Sequence, residues 1–421
     1  MLFYCPDGGQ RLSALTTDTP PGPVESTRPA LRRALVALCV TEITSWGVLY
    51  YAFPVLLGAI TTDTGWSTTA IMGGFSVGLA VSAIAGIPVG RLLDKHGPRP
   101  VMTIGSIIGV VSVVAIAMAP NQWWFIAAWA LSGLAQACVF YKPAFAALTG
   151  WYGPQRVKAL TALTLVAGLS STIFAPATAF LADRMSWQQT YLILAVVLAV
   201  TTIPAHLFFL TPPWRPEQHH DKTTPDQTSE TKSVTRSPAF AILIVTMALA
   251  TFGLFAATVN LVPLLTEGGA STTFAAWALG LCGAGQLLGR IGFQRLVLHT
   301  SVRTRTVAVL LAAAVSIAAI ATVGDNAVIV VTVAVIFGAA RGIFTLLEAT
   351  AISDRWGTRN FGTLYGLYSA PSTIAMAATP WVGAIIATWL GGFHPLFYAM
   401  ATVLLVAGIA AIATIPRRPP T

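Results

Sequence analysis

The chain has 421 residues and a net charge of +9, with 55% hydrophobic and only 9% charged side chains. An ordinary soluble domain is about 25% charged, so a soluble globular fold is excluded. The basic balance does not point to nucleic acid either, because the basic residues fall in alternating loops.

Residues 1–33 are rich in Pro, Thr and Gly and read as a disordered tail without the apolar core of a signal peptide. Beyond them come long tracts free of Asp, Glu, Lys and Arg, such as 101–141 and 360–416. A helix needs about 20 apolar residues to cross a bilayer. Breaks at Pro120-Asn121-Gln122 and Gly391-Gly392 divide the tracts into twelve spans, near 34–60, 68–92, 101–119, 123–149, 157–182, 187–210, 238–265, 272–295, 305–323, 326–353, 361–388 and 391–415. Alternating ten-residue strands are not seen, so helices are expected to satisfy the backbone.

Arg28, Arg32 and Arg33, then Arg91, Lys95 and Arg99, Arg156 and Lys158, the segment 211–237, Arg295, Arg303 and Arg305, Arg355 and Arg359, and Arg417 and Arg418 lie in alternate connections; the others hold only Arg184. This positive-inside pattern puts both termini in the cytoplasm of a cell-membrane protein. Trp66, Trp123, Trp124, Trp151, Trp187, Trp356 and Trp389 stand near span ends, where interfacial anchors are expected. Cys5, Cys39, Cys138 and Cys282 have no metal spacing and are expected to pack. The polar stretch 211–237, with His219 and His220, reads as a cytoplasmic linker. It separates a bundle at 34–210 from one at 238–415, and 416–421 form a short tail. Ser67-Thr68-Thr69 recurs as Ser271-Thr272-Thr273, Trp46-Gly47 as Phe252-Gly253, Trp151 as Trp356 and Pro176 as Pro380, all at nearly one offset. The expected fold is therefore all-α and integral to the membrane, with 12 transmembrane helices in two pseudo-symmetric six-helix bundles and a site between them.

Five charged residues lie inside the apolar tracts, where a charge costs roughly 2.5–3.5 kcal/mol and marks a wet cavity or a pathway. Arg290 suits a carboxylate through its planar fork, or snorkels to the interface. Arg341, between small neighbours, is either a site residue or half of an ion pair. Lys142 and Glu348 hold matching places in the two repeats, so a pair across the cavity is one expectation. The other is pairing within each half, Lys142 with Glu42 and Glu348 with Arg341. Glu42 is a candidate proton carrier or a permanent partner of Lys142. Together the five sum to +1, which favours an anion. Tyr50, Tyr51, Tyr141, Phe145, Tyr365 and Tyr368 could line the cavity or simply pack.

The run Gly90-Arg91-Leu92-Leu93-Asp94-Lys95-His96-Gly97-Pro98-Arg99 after the second span resembles the signature of the major facilitator superfamily, with Gly90, Asp94, Lys95, Gly97 and Arg99 as a conformational-switch loop. Gly90 is expected to allow close helix approach, and Asp94 to meet the positive N-terminus of span 11. Trp46-Gly47-Val48-Leu49-Tyr50-Tyr51-Ala52-Phe53-Pro54, Gly65-Trp66-Ser67 and Gln286-Leu287-Leu288-Gly289-Arg290 resemble the monocarboxylate-porter branch and its bacterial relatives. That resemblance implies alternating access, a substrate-carboxylate or coupling role for Arg290, and proton coupling; Gln286 stands where the family has Asp. Phe174-Ala175-Pro176-Ala177 keeps the proline of antiporters without their paired glycines.

The expected function is proton-coupled transport of a small organic anion such as a monocarboxylate, by a monomer in the lipid bilayer. Arg290, Arg341, Glu42 and Gln286 would bind or couple, and Lys142 and Glu348 would gate the cytoplasmic side. Efflux of drugs or other amphipathic compounds is the alternative, and a membrane sensor without flux is another. The six histidines make no ligand pattern with a neighbouring acid in a span, and no phosphate-binding G-x-x-x-x-G-K-[ST] loop is present. No enzyme activity, cofactor or metal is therefore expected.

Overall fold

The computed structural model describes residues 28–214, 232–323, 326–357 and 361–415. Among these are twelve helices long and apolar enough to span a membrane. They are α1 (Arg28–Thr64), α2 (Thr68–His96), α3 (Pro98–Ala117), α4 (Gln122–Tyr152), α5 (Lys158–Ala182), α6 (Trp187–Phe209), α7 (Pro238–Val259), α8 (Thr272–His299), α9 (Val302–Thr322), α10 (Ala327–Thr350), α11 (Phe361–Leu390) and α12 (Phe393–Ala411). Ser67, Asn121, Ser186, Ser237, Ser271, Ser301 and Asn326 start seven of them, each side chain accepting a backbone N–H one turn in.

Two boundaries differ from expectation. α1 begins at Arg28 rather than near 34, so Arg28, Arg32 and Arg33 are helical and not part of a tail. α2 runs to His96, so Gly90, Asp94 and Lys95 lie on its last turns rather than in a loop. The remaining tail and linker, with Cys5, His219 and His220 at 1–27, 215–231 and 416–421, fall outside the described residues.

Packing repeats between the halves. α2 on α4 matches α8 on α10, α3 on α6 matches α9 on α12, and α1 on α5 matches α7 on α11. The halves meet where α2 packs on α11 and α5 on α8. Contacts there repeat as well. The carbonyl of Gly280 accepts from Thr172 at 2.8 Å, while Ser76 accepts from the backbone N–H of Trp381 at 2.9 Å. Thr273 donates to Asp183 at 2.5 Å, and its counterpart Thr69 meets Thr388 at 3.4 Å. All four contacts lie toward the face opposite the basic loops.

Glycine sets the closeness of α8 and α10. A Cβ at Gly285, Gly289, Gly338 or Gly342 would lie about 2 Å from the facing carbonyl of Val335, Ala339, Cys282 or Gln286. Small residues let helix backbones approach in this way inside a bilayer. Gly90, expected to do this in α2, instead faces open space. Gly97 is the constrained glycine of that run: its φ is +79°, and a Cβ would strike Trp214. Trp214 also donates its indole N–H to the Asp94 carbonyl at 2.9 Å.

The tryptophans divide. Trp123 and Trp389 are exposed, as interfacial anchors should be, whereas Trp187 and Trp356 are buried packing residues. Cys39, Cys138 and Cys282 are buried free thiols.

Candidate functional site

Three helices break where the cavity forms. In α4, Pro143 cannot donate to the carbonyl four residues back and would clash with it. Phe140 is accordingly extended, and a second helix starts at Tyr141. In α1 a π-helical turn occupies Gly47–Tyr51. Only glycine fits at position 47, because a Cβ would sit 2.2 Å from the ring of Phe174. α5 is interrupted at Gly168 and Leu169. Such interruptions are tolerated in a bilayer where they line a cavity.

The cavity holds about 260 Å³ and takes its walls from both halves. Trp46, Tyr51, Phe140, Tyr141 and Phe255 give it an aromatic surface, and Gln136, Lys142, Gln286, Arg290, Arg341 and Thr345 supply polar groups. Trp46 stacks on Phe140 at 4.0 Å, with planes 10° apart.

Arg341 is 5% exposed and sits 4.6 Å from the ring centroid of Phe255. The Tyr51 hydroxyl is within hydrogen-bonding reach, but Nε and Nη1 have no partner among the described residues. Arg290 does not snorkel to the interface. It turns inward, donating from Nη1 to the Thr164 carbonyl at 2.5 Å and lying beside the Tyr141 hydroxyl, with Nε unpartnered. Gln286 is buried one turn before it. The close α8–α10 packing holds these groups together, since the Gln286 carbonyl faces Gly342, next to Arg341. Lys142 reaches across Gly86 of α2 and has no ion pair or hydrogen bond among the described residues.

The acids lie elsewhere. Glu42 is fully buried behind Trp46, accepting its indole N–H at 3.1 Å on Oε2, with Oε1 unpartnered. Glu348 is half-buried beside Thr251 and Ser372. Neither borders the cavity. Among the described residues the wall therefore carries three cations and no carboxylate, in place of the expected sum of +1. None of the expected pairs is formed in this conformation: the ion pair among the described residues is Arg305 with Asp354, at the basic face between α9 and the turn after α10. Of the aromatic residues considered, Tyr51 and Tyr141 line the cavity, while Tyr50 and Tyr368 are buried in packing.

At the end of α2, Asp94 is exposed, and its carboxylate has no partner among the described residues. Arg99 donates from Nε to the Leu207 carbonyl at 2.8 Å, tying the start of α3 to the end of α6. The expected contact of Asp94 with α11 is not formed to any described residue.

Sequence reasoning missed Trp46, Phe140 and Phe255 as wall residues. Pro143 carried a usable signal for Phe140, since it forces the α4 break.

Comparison with known proteins agrees with this architecture. The nucleoside transporter NupG superposes with a TM-score of 0.73 over 92% of this chain and 100% of its own, at 12% identity. The D-xylose-proton symporter gives 0.72 over 92% and 98%, at 15% identity. Among curated sequences, Monocarboxylate transporter 13 of Rattus norvegicus is 24% identical over 90% of this chain and 86% of its own. The match to the Bos taurus protein of that name, at 26% identity, covers 61% of this chain and 57% of the relative. The Major Facilitator Superfamily profile matches residues 38–370 and 269–421. The chain belongs to the Major Facilitator Superfamily, and is a secondary transporter of the alternating-access type.

Proposed function

We propose that this carrier moves a small organic anion, a monocarboxylate by first preference, coupled to protons and across a cell membrane whose cytoplasmic side faces the basic loops. The observation that carries this reading is the cavity wall with Lys142, Arg290 and Arg341 and no acid among the described residues. Unpartnered guanidinium donors in a buried setting call for a ligand that accepts hydrogen bonds. The α4 helix restarting at Tyr141 adds its positive end to the same cavity. The partial similarity to monocarboxylate transporters supports the substrate class.

Glu42 is the proposed proton carrier. It meets the cavity wall through its hydrogen bond to Trp46 and does not itself border the cavity, so its charge can change without meeting the substrate. Lys142 and Glu348 are proposed to pair when the cytoplasmic side closes and to stand apart in the conformation described here. Asp94 and the α2–α3 connection would switch with them.

A second reading, efflux of an amphipathic compound, draws on the aromatic wall and on a 25% identical stretch of the Fujikurins efflux protein of Gibberella fujikuroi, covering 48% of this chain and 43% of that protein. Proteoliposome uptake of a panel of organic acids, with and without a pH gradient, separates the two. Acid uptake that rises with an inward proton gradient supports the first reading. Transport of neutral or cationic amphiphiles with no acid uptake overturns it.

A further inference from the structure

A second opening, larger than the central cavity, lies on the outside of the bundle. A trench of about 630 Å³ runs along the outside of α1 and α6, at the end of α1 that carries the basic residues. Arg28, Arg32, Val36 and Val40 follow one another at intervals of four, and so form a single ridge of a helix. Arg33 and Phe209 also line the trench. Its upper part is thus three exposed guanidinium groups, and its lower part is apolar. None of the three arginines has a hydrogen bond or ion pair among the described residues. The order of the ridge, charge at the helix end and then branched apolar side chains, matches the order of a phospholipid, headgroup and then acyl chain.

We propose that this trench is a binding site for one anionic phospholipid. The phosphodiester sits among Arg28, Arg32 and Arg33, where forked guanidinium donors match its oxygens. An acyl chain lies on Val36, Val40 and Phe209. Basic pockets between helices at the membrane surface take anionic headgroups for this reason. The site is separate from transport chemistry, but it holds the helix that carries Glu42 and Trp46. The lipid therefore fixes the end of α1 against α6.

The test uses the full-length purified protein and native mass spectrometry from mixed micelles containing phosphatidylglycerol or phosphatidylcholine. One phosphatidylglycerol should stay bound at collision energies that strip phosphatidylcholine. The triple variant Arg28→Gln, Arg32→Gln, Arg33→Gln should lose that adduct, and Val36→Trp, which fills the apolar part, should weaken it with all three charges intact. The pair Arg295→Gln, Arg303→Gln, at the same face, should retain it. Glycerophosphoglycerol, the headgroup without chains, should not compete; competition by it would show a simple anion site and overturn the lipid assignment. Equal retention of the two lipids, retention by the triple variant, or equal loss in the Arg295/Arg303 control would overturn the site.

Discussion

Trp46 donates its indole N–H to Glu42 at 3.1 Å while its ring stacks on Phe140 in the cavity wall. The buried carboxylate and the substrate space are thus two faces of one side chain. On the proposed coupling role, a change in the charge of Glu42 would reach the cavity through the orientation or hydrogen bonding of that indole.

Glu42→Gln keeps an acceptor for Trp46 and removes the titrating group. Substrate exchange between equal internal and external pools should continue, while accumulation driven by a pH gradient should vanish. Proteoliposome counterflow and gradient-driven uptake, measured side by side, check this. Accumulation that still follows the gradient would remove Glu42 from the coupling path.

Arg341 places a planar cation over Phe255, with two donor groups open. Arg341→Lys preserves the charge but not the fork or the stacking. Uptake efficiency should fall by about tenfold or more, equivalent to about 1.4 kcal/mol of transition-state stabilisation. Arg290→Ala should abolish uptake of a carboxylate substrate. Unchanged uptake in either variant would reject that arginine as a substrate contact.

Lys142 and Glu348 stand unpaired in this conformation. If they join on closure, Lys142→Glu and Glu348→Lys should each impair transport, and the double exchange should restore it. A double variant as inactive as the single ones would refute the gate.

Gly342 lies where a Cβ would come within 2.2 Å of the Gln286 carbonyl. Gly342→Leu should push α10 from α8 and cost about 1–3 kcal/mol through overpacking. The same change at Gly292, which faces open space, should be tolerated. Thermal unfolding in detergent distinguishes the two.

The spans and the duplication were legible in the sequence because bilayer thickness and internal repetition act on whole segments. Ser67 and Ser271, matched by spacing alone, cap equivalent helices, and the neighbouring Thr69 and Thr273 both bridge the halves. Arg290, Arg341 and Lys142 could be singled out because charge in hydrocarbon is costly. What could not be read was direction. Glu42 and Glu348 are as deep in the sequence as the arginines, yet their side chains turn away from the cavity, and helix rotation decides that. Gly90 shows the same limit: only the neighbouring chain determines which glycine of the run 90–99 is crowded, and it is Gly97, just past the end of α2, against Trp214.

The π-helical turn at Gly47–Tyr51 makes α1 two segments with separate angular phase. It brings Trp46 and Tyr51 to one wall, although five residues of regular α-helix would point them well apart. A regular α-helix of the same length would instead swing its outer half by about 100°. Trp46 would keep its place while Tyr51 left Arg341, so the widened turn after Gly47 is what joins the two side chains to one wall.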